Sequence, residues 1–204
     1  MKKKTKSTID ARTSIFNAAI TLFSENGYDG TGVQQIADKA GVNKAMIYYY
    51  FGSKDELYDI LLTEGEKIIE SAINKTENKR LFIDERIRVF SKTLLCAAIE
   101  QPELTRLIYR ELLGDGEQAK ESVADNFRNN VELIAEKLEE GIKKGKIRDD
   151  INLLYTSYMI FGIINIFISK FVITGQLLDV ESLVDDIVSM VLNGIGVKKD
   201  RGVE

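Results

Sequence analysis

The sequence predicts an all-α protein in which three short N-terminal helices precede a larger set of longer ones, about nine in all. Three observations carry this. A single proline occurs in 204 residues, so little interrupts helices over long spans. Apolar residues recur at i, i+3 or i+4, and i+7, and nowhere alternate over a strand's length. Finally, Gly27, Gly41, Gly114, Gly145 and Gly175 stand where periodic runs stop.

The elements follow in order. In 8–26, TIDARTSIFNAAITLFSEN, the residues Ile15, Ala19, Leu22 and Phe23 form one stripe that ends at Gly27. Thr31 lies three residues before Gln34, the spacing of a capping box, and opens the short run VQQIADKA. Gly41 ends that run, and Asn43 is a fitting N-cap for the helix in 43–51, NKAMIYYYF. Ser53 and Glu56 form a second capping box, which opens a long helix to about 74. Further helices are expected at 81–99, 102–113, 117–144, 150–173 and 180–195, with Pro102 in a first turn. Within 117–144, Val123, Phe127, Val131, Ile134, Leu138 and Ile142 share a face.

The stretch 151–173, INLLYTSYMIFGIINIFISKFVI, is apolar almost all round. A helix of that kind packs on several sides at once. A membrane span is the alternative by length, opposed by Lys170, Asn165 and the Thr156–Ser157 pair within it.

Composition removes much chemistry. With no histidine, a Ser-His-Asp triad and histidine-ligated zinc are excluded. Cys96 is the single cysteine, so neither an intramolecular disulfide nor a thiolate zinc cluster forms, which fits a reducing cytoplasm. The basic start MKKKTKSTID leads into an amphipathic segment rather than an apolar signal region. No motif places a carboxylate dyad or a reactive lysine. The expectation is a cytoplasmic protein that is not an enzyme and carries no cofactor and no metal. Charge is uneven beneath the net −4: residues 1–55 hold 8 Lys/Arg against 5 Asp/Glu, the remainder 20 against 27. A positive module on an acidic body suits docking to a polyanion by one end.

The short helices have the organisation of a helix-turn-helix. Ala37 permits close crossing, Gly41 supplies a turn with positive φ, and Ile47 anchors the second helix, with Ile36, Val42 and Phe51 completing the inner surface. Tyr48, Tyr49 and Tyr50 are consecutive and cannot all face one core. The helical wheel turns Ile47, Tyr50 and Phe51 inward and leaves Lys44, Ala45, Tyr48 and Tyr49 outward.

The segment Ile15–Leu57, with GY at 27–28, T at 31, IADKAGV at 36–42, IYYYF at 47–51 and SKDEL at 53–57, resembles the DNA-binding domain of TetR/AcrR-family transcriptional repressors. The resemblance implies a DNA-binding domain over 1–52 and an effector-binding and dimerisation domain over 53–204. It implies contacts with a double-stranded DNA operator by Thr31, Gln34, Asn43, Lys44, Ala45, Met46, Tyr48, Tyr49, Tyr50 and Lys54. For Tyr50 both roles apply, a packed ring and an outward hydroxyl. Gly32 departs from the family's usual Thr or Ser. The family further implies a homodimer through the last two helices, with Ile164, Ile168, Val180, Leu183, Val184, Ile187 and Val191 as interface candidates. It implies a small-molecule effector, apolar or amphipathic here, in a pocket drawn from Phe90, Leu94, Leu107, Phe127, Val131, Tyr155, Tyr158, Phe161 and Asn165. The functional expectation is a dimeric repressor on a palindromic operator, released by its effector and working without a membrane. A TetR-fold interaction module acting through a protein partner is the alternative.

Overall fold

The computed structural model describes residues 3–77, 81–113, 120–177 and 179–195, with side chains described for 11–77, 81–112, 128–177 and 179–195. Nine helices are present among the described residues. They are α1 (Lys3–Asn26), α2 (Val33–Ala40), α3 (Lys44–Phe51), α4 (Lys54–Thr76), α5 (Ile83–Glu100), α6 (Pro102–Leu113), α7 (Lys120–Lys143), α8 (Leu153–Thr174) and α9 (Val180–Ile195). The all-α expectation holds, and the helices lie close to where the apolar period places them, except that α1 begins at Lys3 rather than at residue 8.

Local chemistry sets the boundaries. Gly27 ends α1 at φ 75° and Gly41 ends α2 at φ 68°, values that side-chain-bearing residues rarely adopt. The Asn43 side chain accepts from the Ala45 N–H at 2.8 Å and caps α3. Ser53 Oγ accepts from the Glu56 N–H at 3.0 Å and starts α4. The cap of α2 lies one residue beyond the expected register. Gly32 is its N-cap, and its N–H donates to Gln35 Oε1 at 2.6 Å. Gln34 instead donates to Asp38 Oδ1, one turn along, at 2.8 Å.

The chain divides into two compact units, residues 1–67 with 101–120, and residues 68–100 with 121–204. In the first, α1, α2, α3, the start of α4 and α6 enclose Ile15, Phe23, Ile36, Ile47, Leu57, Leu61 and Leu107, all fully buried. Burying an aliphatic or aromatic side chain of this size stabilises by about 1.5–3 kcal/mol, so this small unit rests on its interior rather than on helix propensity. In the second, α5 packs against α8 and α9. Their buried faces include Phe90, Leu94, Leu95, Phe161, Ile164, Val184, Ile187 and Val191. Two ion pairs, Arg88–Asp185 and Lys92–Glu181, link α5 to α9 at the surface.

Candidate functional site

The first unit presents α3 as a rigid platform. Ile47 and Phe51 are buried, and Met46 and Tyr50 pack half-buried against the same core. The opposite side carries Lys44, Ala45, Tyr48 and Tyr49, with Tyr48 46% and Tyr49 80% exposed. Lys44 Nζ lies 5.9 Å from the Tyr48 ring centroid, and Tyr49 meets Tyr50 edge-on at 5.0 Å. Large exposed rings beside a lysine, on a helix capped and anchored from behind, supply hydroxyl donors, apolar edges and charge with little rearrangement.

A second group of residues holds this platform. Phe23, Tyr28 and Tyr58 form an aromatic cluster with centroids 4.9 to 6.1 Å apart. Lys54 Nζ sits 3.8 Å from the Tyr28 ring centroid, so the start of α4 is fixed beside the α1–α2 turn. Thr31, implied by the resemblance to contact DNA, is fully buried; its hydroxyl donates to the carbonyl oxygens of Gly27 at 2.8 Å and Leu22 at 3.1 Å. A buried hydroxyl needs such partners, so Thr31 closes the α1–α2 turn and its side chain is withdrawn from any ligand. Gln34 and Lys54 remain accessible, Gln34 exposed and Lys54 half-buried.

Helix α6 belongs to the same unit, which no local pattern announced. Arg110 donates to the carbonyl oxygens of Glu25 at 3.1 Å and Ser24 at 3.5 Å, placing a cation at the negative end of α1. The Tyr58 hydroxyl donates to the buried Glu111 carboxylate. Burial raises the Tyr58 hydroxyl's pKa above its ordinary 10.0, and the bond to Glu111 and its charge raise it further. Tyr58→Phe strands a buried carboxylate and should cost about 1.5–3 kcal/mol in urea unfolding. A folded pKa above the unfolded one stabilises fully below pH 10 and is lost as pH rises beyond it. The wild type should therefore show an alkaline stability loss that Tyr58→Phe lacks.

The second unit contains an apolar cavity of about 50 Å³ between α4, α5, α7 and α8, lined by Ile73, Thr76, Ile83, Arg86, Ile87, Phe90, Leu133, Ile134, Lys137, Leu138 and Ile160. Of the residues expected to line a pocket, Phe90 does so. Leu94, Val131 and Phe161 are buried but are not part of the lining. Leu107 is withdrawn from the set, because it lies in the core of the first unit. Tyr155 and Tyr158 are exposed on α8 and are likewise withdrawn. Asn165 donates to the Phe161 carbonyl at 2.8 Å, and the Phe127 side chain lies outside the described residues.

The residues expected at a dimer interface differ in burial. Ile164, Ile168, Val184, Ile187 and Val191 are buried within the chain, whereas Val180 and Leu183 are half-buried. The exposed side of α8 carries Leu154, Tyr155, Tyr158, Met159, Ile166 and Ile173, and α9 adds Met190. Helix α8 is the one described helix long and apolar enough to cross a membrane.

Comparison with known proteins places this architecture. Residues 15–60 match the family model of bacterial regulatory proteins of the tetR family, and residues 59–194 match that of the YsiA-like protein C-terminal region. The HTH-type transcriptional repressor NicS of Pseudomonas putida is 32% identical over 157 residues, 73% of this chain and 71% of that protein. The chain belongs to the TetR family. It is a transcriptional regulator of the TetR type, a family of regulators rather than enzymes.

The fatty acid metabolism regulator protein of Bacillus subtilis is 27% identical over 184 residues, 89% of this chain and 93% of that protein. The fold is also similar to that of Bacillus subtilis FadR solved in complex with stearoyl-CoA, with a TM-score of 0.72 and 22% identity over 90% of this chain and 98% of that one. Within this TetR frame, Gln35, Arg110, Glu111 and Tyr58 are residues the sequence reading missed. Gln35 alone had a local signal, since it stands three residues after Gly32.

Proposed function

We propose that this TetR-family regulator is a homodimeric repressor that binds a palindromic operator through α3 and is released by a fatty acyl thioester. The observation that carries the reading is the exposed Lys44–Tyr48–Tyr49 face on a capped helix anchored by Ile47 and Phe51. Asn43, Ala45, Met46 and Tyr50 flank the base-reading surface. Gln34 and Lys54 serve adjacent phosphates. Dimerisation covers the exposed apolar side of α8 together with Met190, and gives two reading heads for two half-sites. A second copy accounts for that face in a protein acting in the cytoplasm, with no need of a membrane.

The effector class is suggested by the fatty acid metabolism regulator, by the stearoyl-CoA bound to the similarly folded FadR, and by the apolar cavity. A cavity of about 50 Å³ is far short of the roughly 300–1,000 Å³ of a ligand pocket. The cavity therefore has to enlarge to admit the ligand. Helix α4 contributes Ile73 and Thr76 to that cavity and Leu57, Tyr58 and Leu61 to the reading-head core. Displacing it is the means of altering DNA binding. A ligand preferring the DNA-incompetent state by about 100-fold shifts the equilibrium by about 2.7 kcal/mol per site.

The test is fluorescence anisotropy on the DNA upstream of the protein's own gene, against a shuffled duplex at two salt concentrations. The expected result is salt-sensitive binding to the native fragment alone, weakened about tenfold or more by an acyl-CoA, a shift of about 1.4 kcal/mol. Binding that no acyl-CoA alters would leave a regulator with another effector. Equal weak binding to both duplexes would defeat the operator assignment.

A further inference from the structure

The apolar cavity of the second unit opens where its chemistry changes. Ile83, Arg86 and Lys137 line both the cavity and an outer groove of about 290 Å³, which adds Glu140, Lys144 and Lys146. An adjoining groove of about 400 Å³ shares Arg86, Lys137, Glu140 and Lys144 and adds Lys143. Five cationic side chains therefore line these grooves against two carboxylates, Glu77 and Glu140.

Glu140 is the centre of that arrangement. Its carboxylate lies 3.3 Å from Arg86 Nη1, 3.4 Å from Lys137 Nζ and 3.8 Å from Lys144 Nζ, so one anion serves three cations. Burial raises the Glu140 carboxyl's pKa, but Lys137, Arg86 and Lys144 outweigh it and hold the group below the ordinary carboxylate range. Arg86 is buried and further held by the Leu81 carbonyl at 3.4 Å, so its charge is fixed at the mouth. Lys146 lies over the Phe82 ring at 5.9 Å. Lys143 is itself paired with Glu139 at 3.0 Å, so two positive charges remain in excess, and a fatty carboxylate would answer only one of them. A phosphorylated head group carries several, and a guanidinium ringed by ammonium groups is suited to it.

We propose that this groove is the head-group site for a phosphorylated amphiphile whose acyl chain enters the cavity, and that Glu140 is an internal counter-ion which the head group displaces. The proposal rests on the effector reading above. Glu140 holds the cations in place while the site is empty and sets the affinity threshold that a ligand must exceed.

Calorimetric titration of the full chain with decanoyl-CoA, and with the decanoyl thioester of N-acetylcysteamine, which has the same chain and no phosphate, separates the two parts. In Lys144→Ala/Lys146→Ala, both exposed positions, the CoA ester should bind roughly tenfold more weakly while the neutral thioester changes by less than about twofold. Glu140→Gln, which keeps an acceptor for Arg86, should bind the CoA ester about threefold or more tightly. Circular dichroism of each variant checks folding. A decanoyl lysophosphatidate weakened by the same lysine variant confirms the shared phosphate chemistry, and whichever phosphorylated ligand binds tighter in the wild type identifies its source. Unchanged CoA-ester binding in the lysine variant, or equal loss of the neutral thioester, overturns the head-group site and leaves the acyl effector standing. Binding of no acyl ligand by the wild type overturns both.

Discussion

Met159→Glu combined with Ile166→Glu is expected to yield a folded protein that sediments as a monomer and binds its operator about 10²–10⁴-fold more weakly. Met159 and Ile166 are 59% and 64% exposed on α8. Glutamate suits an exposed helical position, so each change should alter the protomer's stability by no more than about 0.5 kcal/mol. In a two-fold interface the same substitutions act twice and bury opposed carboxylates with no cation to meet them. The core of the second unit is made by α5, α8 and α9 of one chain, so the helical signal should survive. The loss of DNA affinity then comes from losing the second head, because each head separately keeps all its own contacts. A dimer that withstands both changes would locate the interface elsewhere.

Lys44→Ala with Tyr48→Phe is the second large effect, expected to weaken operator binding about 10- to 100-fold without changing the unfolding midpoint. Both side chains lie on the outward side of α3, and neither helps hold Ile47 or Phe51 in the core. Losing the lysine should lower the slope of log affinity against log salt by roughly 0.9 if it neutralises one phosphate. Losing the Tyr48 hydroxyl should leave that slope unchanged, because no charge is removed. Wild-type affinity in the double variant would rule out this face as the reading surface.

Most of the fold was legible in the sequence because helix formation and termination are local. The apolar period located the helices, and Asn43, Ser53, Gly41 and Gly175 mark ends whose hydrogen bonds or left-handed backbone are seen in the structure. The cap of α2 shows the limit of local signals. In TGVQQ, Thr31–Gln34 and Gly32–Gln35 have the same spacing. The structure selects the second because burying the Thr31 hydroxyl against Leu22 and Gly27 closes the preceding turn.

Faces were less legible than elements. Helix α8 is apolar nearly all round, so its sequence does not say which side a core takes. The structure turns Ile164 and Ile168 inward and leaves Ile166, Met159 and Tyr155 outside. The apolar stripe of α9 read equally well as a partner-facing surface until α5 was seen to occupy it. Leu107, Arg110 and Glu111 join the reading head only because α6 returns to α1 and α4 from more than forty residues away along the chain.

The sequence by itself determined the all-α class, the order of the helices and most of their ends, and the outward run of Lys44, Tyr48 and Tyr49. Each depends on residues within a few positions of one another, where backbone geometry leaves few alternatives. Tertiary structure alone decided which faces of α8 and α9 are interior, and placed α6 in the reading head. It also set an apolar cavity against a basic groove at Arg86 and Lys137. Those outcomes depend on which distant helix fills a given side, and an apolar or charged face does not specify its partner until the chain has packed.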